Sequence, residues 1–103
     1  MASILESCEG FEWDDGNAGK NWHQHRVTDA ESEEVFSNEP IVIVRDSSHS
    51  NFENRYAARG VTMSGRRLTV IFTMRNALIR VISAREMTRR EHRIYEEKIK
   101  RHS

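Results

Sequence analysis

Leu68-Thr69-Val70-Ile71-Phe72-Thr73, then Arg75-Asn76-Ala77, then Leu78 through Ala84, is the stretch whose reading decides the fold. Leu68, Val70 and Phe72 alternate with Thr69, Ile71 and Thr73, the period of a strand with one apolar face. Arg75-Asn76-Ala77 is a turn, and Leu78–Ala84 reads as the next strand. Upstream, Arg55–Thr62 reads as a strand with an irregularity at Gly60. Met63-Ser64-Gly65-Arg66 is the hairpin turn that joins it to the Leu68 strand. Three strands linked by short turns predict an antiparallel meander.

Working outward, the β-branched run Ile41-Val42-Ile43-Val44 predicts another strand, and Asp46–Asn51 a polar loop. Phe11-Glu12-Trp13 alternates apolar and polar, which predicts a short strand. Asp14-Asp15-Gly16-Asn17 follows as a helix start, with Asp as the N-cap of a helix running through Lys20, Trp22 and His25. Thr28-Asp29-Ala30-Glu31 fits a capping box, so a second helix follows and ends near Val35-Phe36. Ser37-Asn38-Glu39-Pro40 is turn chemistry. Downstream, Thr88-Arg89-Arg90-Glu91 is a second capping box. It opens a final helix with Ile94, Tyr95 and Ile99 as its apolar stripe and charge elsewhere, hence a surface helix. The order predicts an α+β domain with one antiparallel sheet and helices against one face. Trp13 and Trp22 are expected as core anchors, each also able to stack on a base.

The chain has 103 residues, one domain spanning 1–103. Its 16 Lys+Arg balance 16 Asp+Glu. The zero total hides a split, because residues 1–51 carry a net −8 and residues 52–103 a net +8. Of the 16 bases 13 are Arg, whose planar fork suits phosphate. A polyanionic partner for the basic half follows. The acidic half either contacts a basic partner, with Glu33 and Glu34 as test positions, or folds against the basic sheet and neutralises it. No apolar run reaches membrane-spanning length, and Met1–Glu6 lacks the pattern of a signal peptide. One cysteine, Cys8, makes no intrachain disulfide, which fits a cytoplasmic address. His23 and His25 stand two apart, so on a helix they do not share a face. Neither they nor Cys8 and His49 fall in a metal-ligand spacing, and neither metal nor other cofactor is expected. The glycines do not cluster into a phosphate or dinucleotide loop.

Several motifs, in order, resemble one known family. Phe11-Glu12-Trp13-Asp14 resembles its F-x-W-D start, and Asn21, His25 and Val27 its N-x-x-K-H-G-V segment. Glu31, Val35 and Phe36 match its E-A-x-x-V-F helix. Glu53-x-Arg55-Tyr56 and Gly60 match its E-x-R-Y strand and the glycine after it. Arg80-Val81-Ile82-Ser83-Ala84-Arg85, Thr88-Arg89-Arg90-Glu91 and Tyr95 match its R-I-I-S-A-R, T-x-x-E and Y ending. The resemblance, over about residues 11–97, is to the BrnT toxins of bacterial BrnT–BrnA type II toxin–antitoxin systems. It implies a RelE/ParE-like fold, with N-terminal helices and a C-terminal helix packed on an antiparallel sheet. It implies an endoribonuclease that cuts RNA to arrest growth. The implied partners are RNA and a BrnA-type antitoxin, a DNA-binding protein whose complex with the toxin represses its own operator. The chain departs from the family at Gln24-His25-Arg26, where Lys-His-Gly is usual. Gln24 lacks the charge of Lys.

Metal-independent RNA cleavage needs a proton acceptor for the 2′-OH, cations for the phosphorane and an acid for the leaving oxygen. Arg55, Arg80 and Arg85, on or beside strands, are the candidate cations, and His25 is the candidate acid/base because imidazole titrates near neutrality. Arg89 and Arg90, with Gln24 and Arg26, are candidates for phosphate binding. Glu53 and Tyr95 are secondary proton-transfer candidates. Bland alternatives stand beside each. Arg80 and Arg85 could pair with the acidic half, and Arg55 with Glu53. His25 could be a favourable charge at a helix end, and Tyr95 a core residue. Two further functions compete with the nuclease. One is a catalytically weak toxin-fold module that binds an antitoxin or nucleic acid, motivated by Gln24. The other is DNA binding through the last helix, which the interleaved Glu91, Glu96 and Glu97 disfavour.

Overall fold

Asn17 and Asn21, two buried polar side chains, close the open edge of the sheet. A computed structural model describes residues 4–46 and 53–101. In chain order these form a 3-10 turn (Ile4–Ser7), β1 (Gly10–Phe11), α1 (Lys20–His25), α2 (Asp29–Ser37), β2 (Val42–Arg45), β3 (Tyr56–Val61), β4 (Arg67–Arg75), β5 (Leu78–Glu86) and α3 (Arg89–Arg101). The strands make one sheet in the order β1-β5-β4-β3-β2. β2 to β5 are antiparallel neighbours, so the expected meander is present. The sheet is mixed rather than wholly antiparallel, because β1 pairs with the start of β5 in parallel. β1 covers only Leu78 and Ile79, and two asparagines take over beyond it. Asn17 Nδ2 donates to the Val81 carbonyl at 3.0 Å, and the Ala84 N–H donates to Asn21 Oδ1 at 3.0 Å. Backbone groups that a longer strand would have paired are thus satisfied by side chains.

Leu68, Val70 and Phe72 put their alternating face into the core, with Ala58 from β3 and Val81 and Ala84 from β5. Val27 and Val35 seal it from the helical side. Phe36 adds edge-on ring contacts to Phe11 at 5.5 Å and Phe72 at 5.0 Å. The Thr28–Glu31 capping box starts α2 as expected. Gly60 does not interrupt β3, since its register with Leu68 is continuous. It is needed for space: a Cβ there would lie 3.1 Å from Val35 Cγ1, so α2 could not settle so close. The register shift falls instead at Ile71/Phe72, where β5 carries the extra residue Ile82.

Three further expectations are corrected. Asp14 does not cap α1. It accepts from the Gly16 N–H within a preceding turn, and α1 starts after Gly19, which sits at φ 71°. Trp22 is no core anchor, being 44% exposed, with the Arg26 guanidinium 5.3 Å from its ring centre. Trp13 does pack on the core and donates its indole N–H to Glu33 at 2.6 Å. Finally, the helices do not share one face of the sheet. Side chains of α3 meet Arg67 and Thr69, whose neighbour Leu68 points the other way into the core below α2. The polar loop, from Ser47 through Asn51 and including His49, lies outside the described residues.

Candidate functional site

The face of the sheet away from α2 is where the arginines gather. Strand alternation fixes which residues rise from it. Arg59, Thr69 and Arg85 form one cross-strand row, and Val44, Ala57, Ile71 and Ser83 form the next. The small and apolar second row makes a floor, while Arg45, Arg55, Arg59 and Arg85 stand around it. Together they line a cleft of about 450 Å³.

One carboxylate organises this cleft. Thr88 and Glu91 form the expected second capping box, the Thr88 N–H donating to Glu91 Oε1 at 2.9 Å and the Glu91 N–H to Thr88 Oγ1 at 3.1 Å. The cap carries the Glu91 side chain to the cleft wall. There Arg85 grips it with two parallel donors at 2.7 and 2.8 Å, and the Thr69 hydroxyl donates at 3.0 Å. Arg59 approaches to 3.7 Å. Hydrogen bonding from Arg85, aided by Thr88 and Thr69 and opposed by burial, holds the Glu91 carboxyl at about 2. Glu91 is therefore an anion throughout the physiological range. Among the described residues the buried Nε–H of Arg59 meets no acceptor. A buried guanidinium donor left unmet is costly, and an anionic oxygen is its natural complement.

The residues singled out in the sequence divide. Arg55 and Arg85 line the cleft together. Arg80 shares their face but is taken up by Glu12 at 3.0 Å and Asp14 at 2.9 and 3.0 Å. That grip lowers the Asp14 carboxyl from its ordinary range, and it ties the segment after β1 to β5. Gln24, His25 and Arg26 are exposed at the end of α1, which docks on β5 through Asn21, and none of them lines the cleft. Arg89 and Arg90 are exposed on the first turn of α3, also outside the lining. Glu53 pairs with Arg75 at 3.4 Å. Tyr95 is 1% exposed, and its hydroxyl donates to the Pro40 carbonyl at 2.5 Å. Burial raises its pKa, so it sits in the core rather than at a reactive surface. Among the described residues no three His, Cys, Asp or Glu side chains gather as metal ligands would.

Sequence reasoning singles out neither Arg45, Arg59 and Thr69 nor the cleft role of Glu91. Arg59 was legible, since Arg55, Ala57 and Arg59 fall on one face of a strand by alternation. Glu91 carried a signal only for capping, and nothing local to Thr88–Glu91 says that the cap also faces Arg85.

With this geometry in place, comparison with known families is decisive at one point. The family described as the ribonuclease toxin, BrnT, of type II toxin–antitoxin systems matches residues 13–91. The chain belongs to the BrnT family. No curated protein matches the chain. The matched span contains the whole arginine cleft and stops at Glu91, so the BrnT match includes both the row Arg59–Thr69–Arg85 and the carboxylate that joins it. Most of α3 lies beyond the match. Membership makes the chain a toxin-family protein with an antitoxin partner, and it supplies nuclease activity at the level of the family.

Proposed function

We propose that this BrnT protein is a metal-independent endoribonuclease toxin of RelE/ParE-like architecture, acting in the cytoplasm. We infer that a BrnA-type antitoxin, which also carries the complex to operator DNA, neutralises it. The observation that carries this reading is the cleft, where Arg59 and Arg85 face each other across Thr69 beside Arg55. Phosphoryl chemistry gains most from cations held in place before charge develops. Strand-borne guanidiniums on a packed sheet meet that condition better than the exposed Arg89 and Arg90. An RNA phosphate entering the cleft would accept from Arg59 Nε and compete with Glu91 for the fork of Arg85. Purified protein should cut RNA with chelator present, and expression should arrest growth. Folded protein that does neither would sink the catalytic claim.

A second reading has its own observation. Among the described lining residues there is no imidazole, and Glu91 at about 2 is a poor proton acceptor at neutral pH. His25, exposed on α1, stands outside the cleft. That arrangement suits a module that binds RNA without cutting it. The Gln24→Lys and His25→Ala variants separate the two. Cleavage gained by the first favours the binding module, and cleavage in the native chain lost by the second favours the enzyme.

A further inference from the structure

On the other side of the sheet, a second groove of about 530 Å³ lies between the segment before β1 and helix α2. Its size falls within the range of ligand and peptide-anchor sites, roughly 300–1,000 Å³. Leu5, Phe11, Phe36 and Ile79 line it with apolar surface, and Ala30 stands exposed at its mouth. Its rim is acidic through Glu33 and Glu34.

These two carboxylates differ from the acids of the front half that fold onto the basic half. Glu12 and Asp14 are met by Arg80, and Glu31 by Arg66. Glu33 accepts from the Trp13 indole N–H at 2.6 Å, and Glu34 from the Met63 backbone N–H at 3.0 Å. Both donors are neutral, and among the described residues neither carboxylate meets a cation of the chain. Their negative charge is anchored in position and left uncompensated beside an apolar groove. RNA is repelled by such a rim, whereas a cationic amphipathic segment is attracted by charge and held by apolar contact.

We propose that this groove seats a basic, amphipathic segment of the antitoxin, with apolar side chains in the groove and Lys or Arg against Glu33 and Glu34. The partner class rests on membership of a toxin–antitoxin family. The site rests on the groove and its charge. The site lies across the sheet from the arginine cleft, so a segment bound here leaves that cleft uncovered.

The two indole N–H groups give a built-in reporter, because Trp13 is bonded to the rim and Trp22 is exposed on α1. The probe is a synthetic amphipathic helical peptide with Leu at i, i+3, i+4 and i+7 and Lys elsewhere. It is titrated into 15N-labelled full-length chain, with a Glu-for-Lys peptide and a short RNA as controls. The Lys peptide should shift the Trp13 indole and the amides of 30, 33, 34 and 37 saturably, leaving Trp22 in place. Ala30→Arg, which fills an exposed mouth, and Glu34→Lys should each weaken binding by about tenfold or more. Saturable shifts on the arginine cleft or on α3, equal binding of the Glu peptide, RNA shifts at the groove, or no saturable shift would each overturn the site. An RNA cleavage assay on the same preparation keeps the two claims apart. Peptide seated in the groove of a chain that cuts no RNA leaves the docking site standing and removes the nuclease. Cleavage without peptide binding does the reverse.

Discussion

Glu91 ties three things together at the scale of single residues: the start of α3, the fork of Arg85 and the acidity of the cleft. Its carboxyl falls from an ordinary 4.5 to about 2 in the fold. A depressed acid stabilises the folded state above its unfolded pKa and loses that contribution as pH falls through the folded value. The window here runs from about 4.5 down to about 2. With allowance for screening at a partly open site, the contribution is about 1–2 kcal/mol. Glu91→Gln should therefore melt below the native chain at pH 7, with the gap closing between pH 4.5 and 2. A gap that stays constant across that range would show that the carboxylate charge is not what Arg85 and Thr69 hold. For Arg59 and Arg85, truncation to Ala should cut RNA cleavage by about 10²–10³-fold, the scale for losing one donor aimed at developing charge. The far-ultraviolet circular dichroism should stay unchanged. Arg80→Ala should lower the melting temperature, because Glu12 and Asp14 lose the side chain that ties them to β5. The sequence could single out Arg55 and Arg85 because both belong to strand patterns. It could not rank Arg80 below them, since its pairing with residues 66 and 68 positions upstream is set by β1 docking beside β5.

At the scale of elements, the strands were the legible part and their edge was not. β4 declares itself through Leu68, Val70 and Phe72, and both Thr–x–x–Glu boxes mark the starts of helices where α2 and α3 begin. β1 has two residues, too few for any periodicity to specify a direction, so its parallel pairing was invisible. The same holds for the face α3 chooses. Its stripe of Ile94, Tyr95 and Ile99 says that one side is buried, but the choice of sheet face depends on where Tyr95 finds the Pro40 carbonyl. Two element-level outcomes follow. Asn21→Leu should cost about 1–3 kcal/mol in chemical denaturation, because the buried Ala84 N–H loses its acceptor. Thr28→Ala should cost about 1 kcal/mol by removing the cap of α2. An Asn21 variant as stable as the native chain would mean that water can reach that edge.

Across the whole molecule, the zero net charge is an arrangement in space. Glu12, Asp14 and Glu31 fold onto Arg80 and Arg66 and neutralise part of the basic half. Glu33 and Glu34 are left on one side of the sheet, while Arg45, Arg55, Arg59 and Arg85 gather on the other. Two opposed surfaces of opposite sign result, a division that composition alone could announce only as −8 against +8. If three arginines contact phosphate, single-stranded RNA affinity should fall with salt at a log–log slope of about −2. The most direct test of the central claim is cleavage of RNA by the purified chain in chelator, run beside the Arg59→Ala/Arg85→Ala double variant. The cleft predicts chelator-insensitive cleavage by the native chain, lost by at least about 10²-fold in the folded double variant. Undiminished cleavage by that variant would place the chemistry elsewhere and contradict the account.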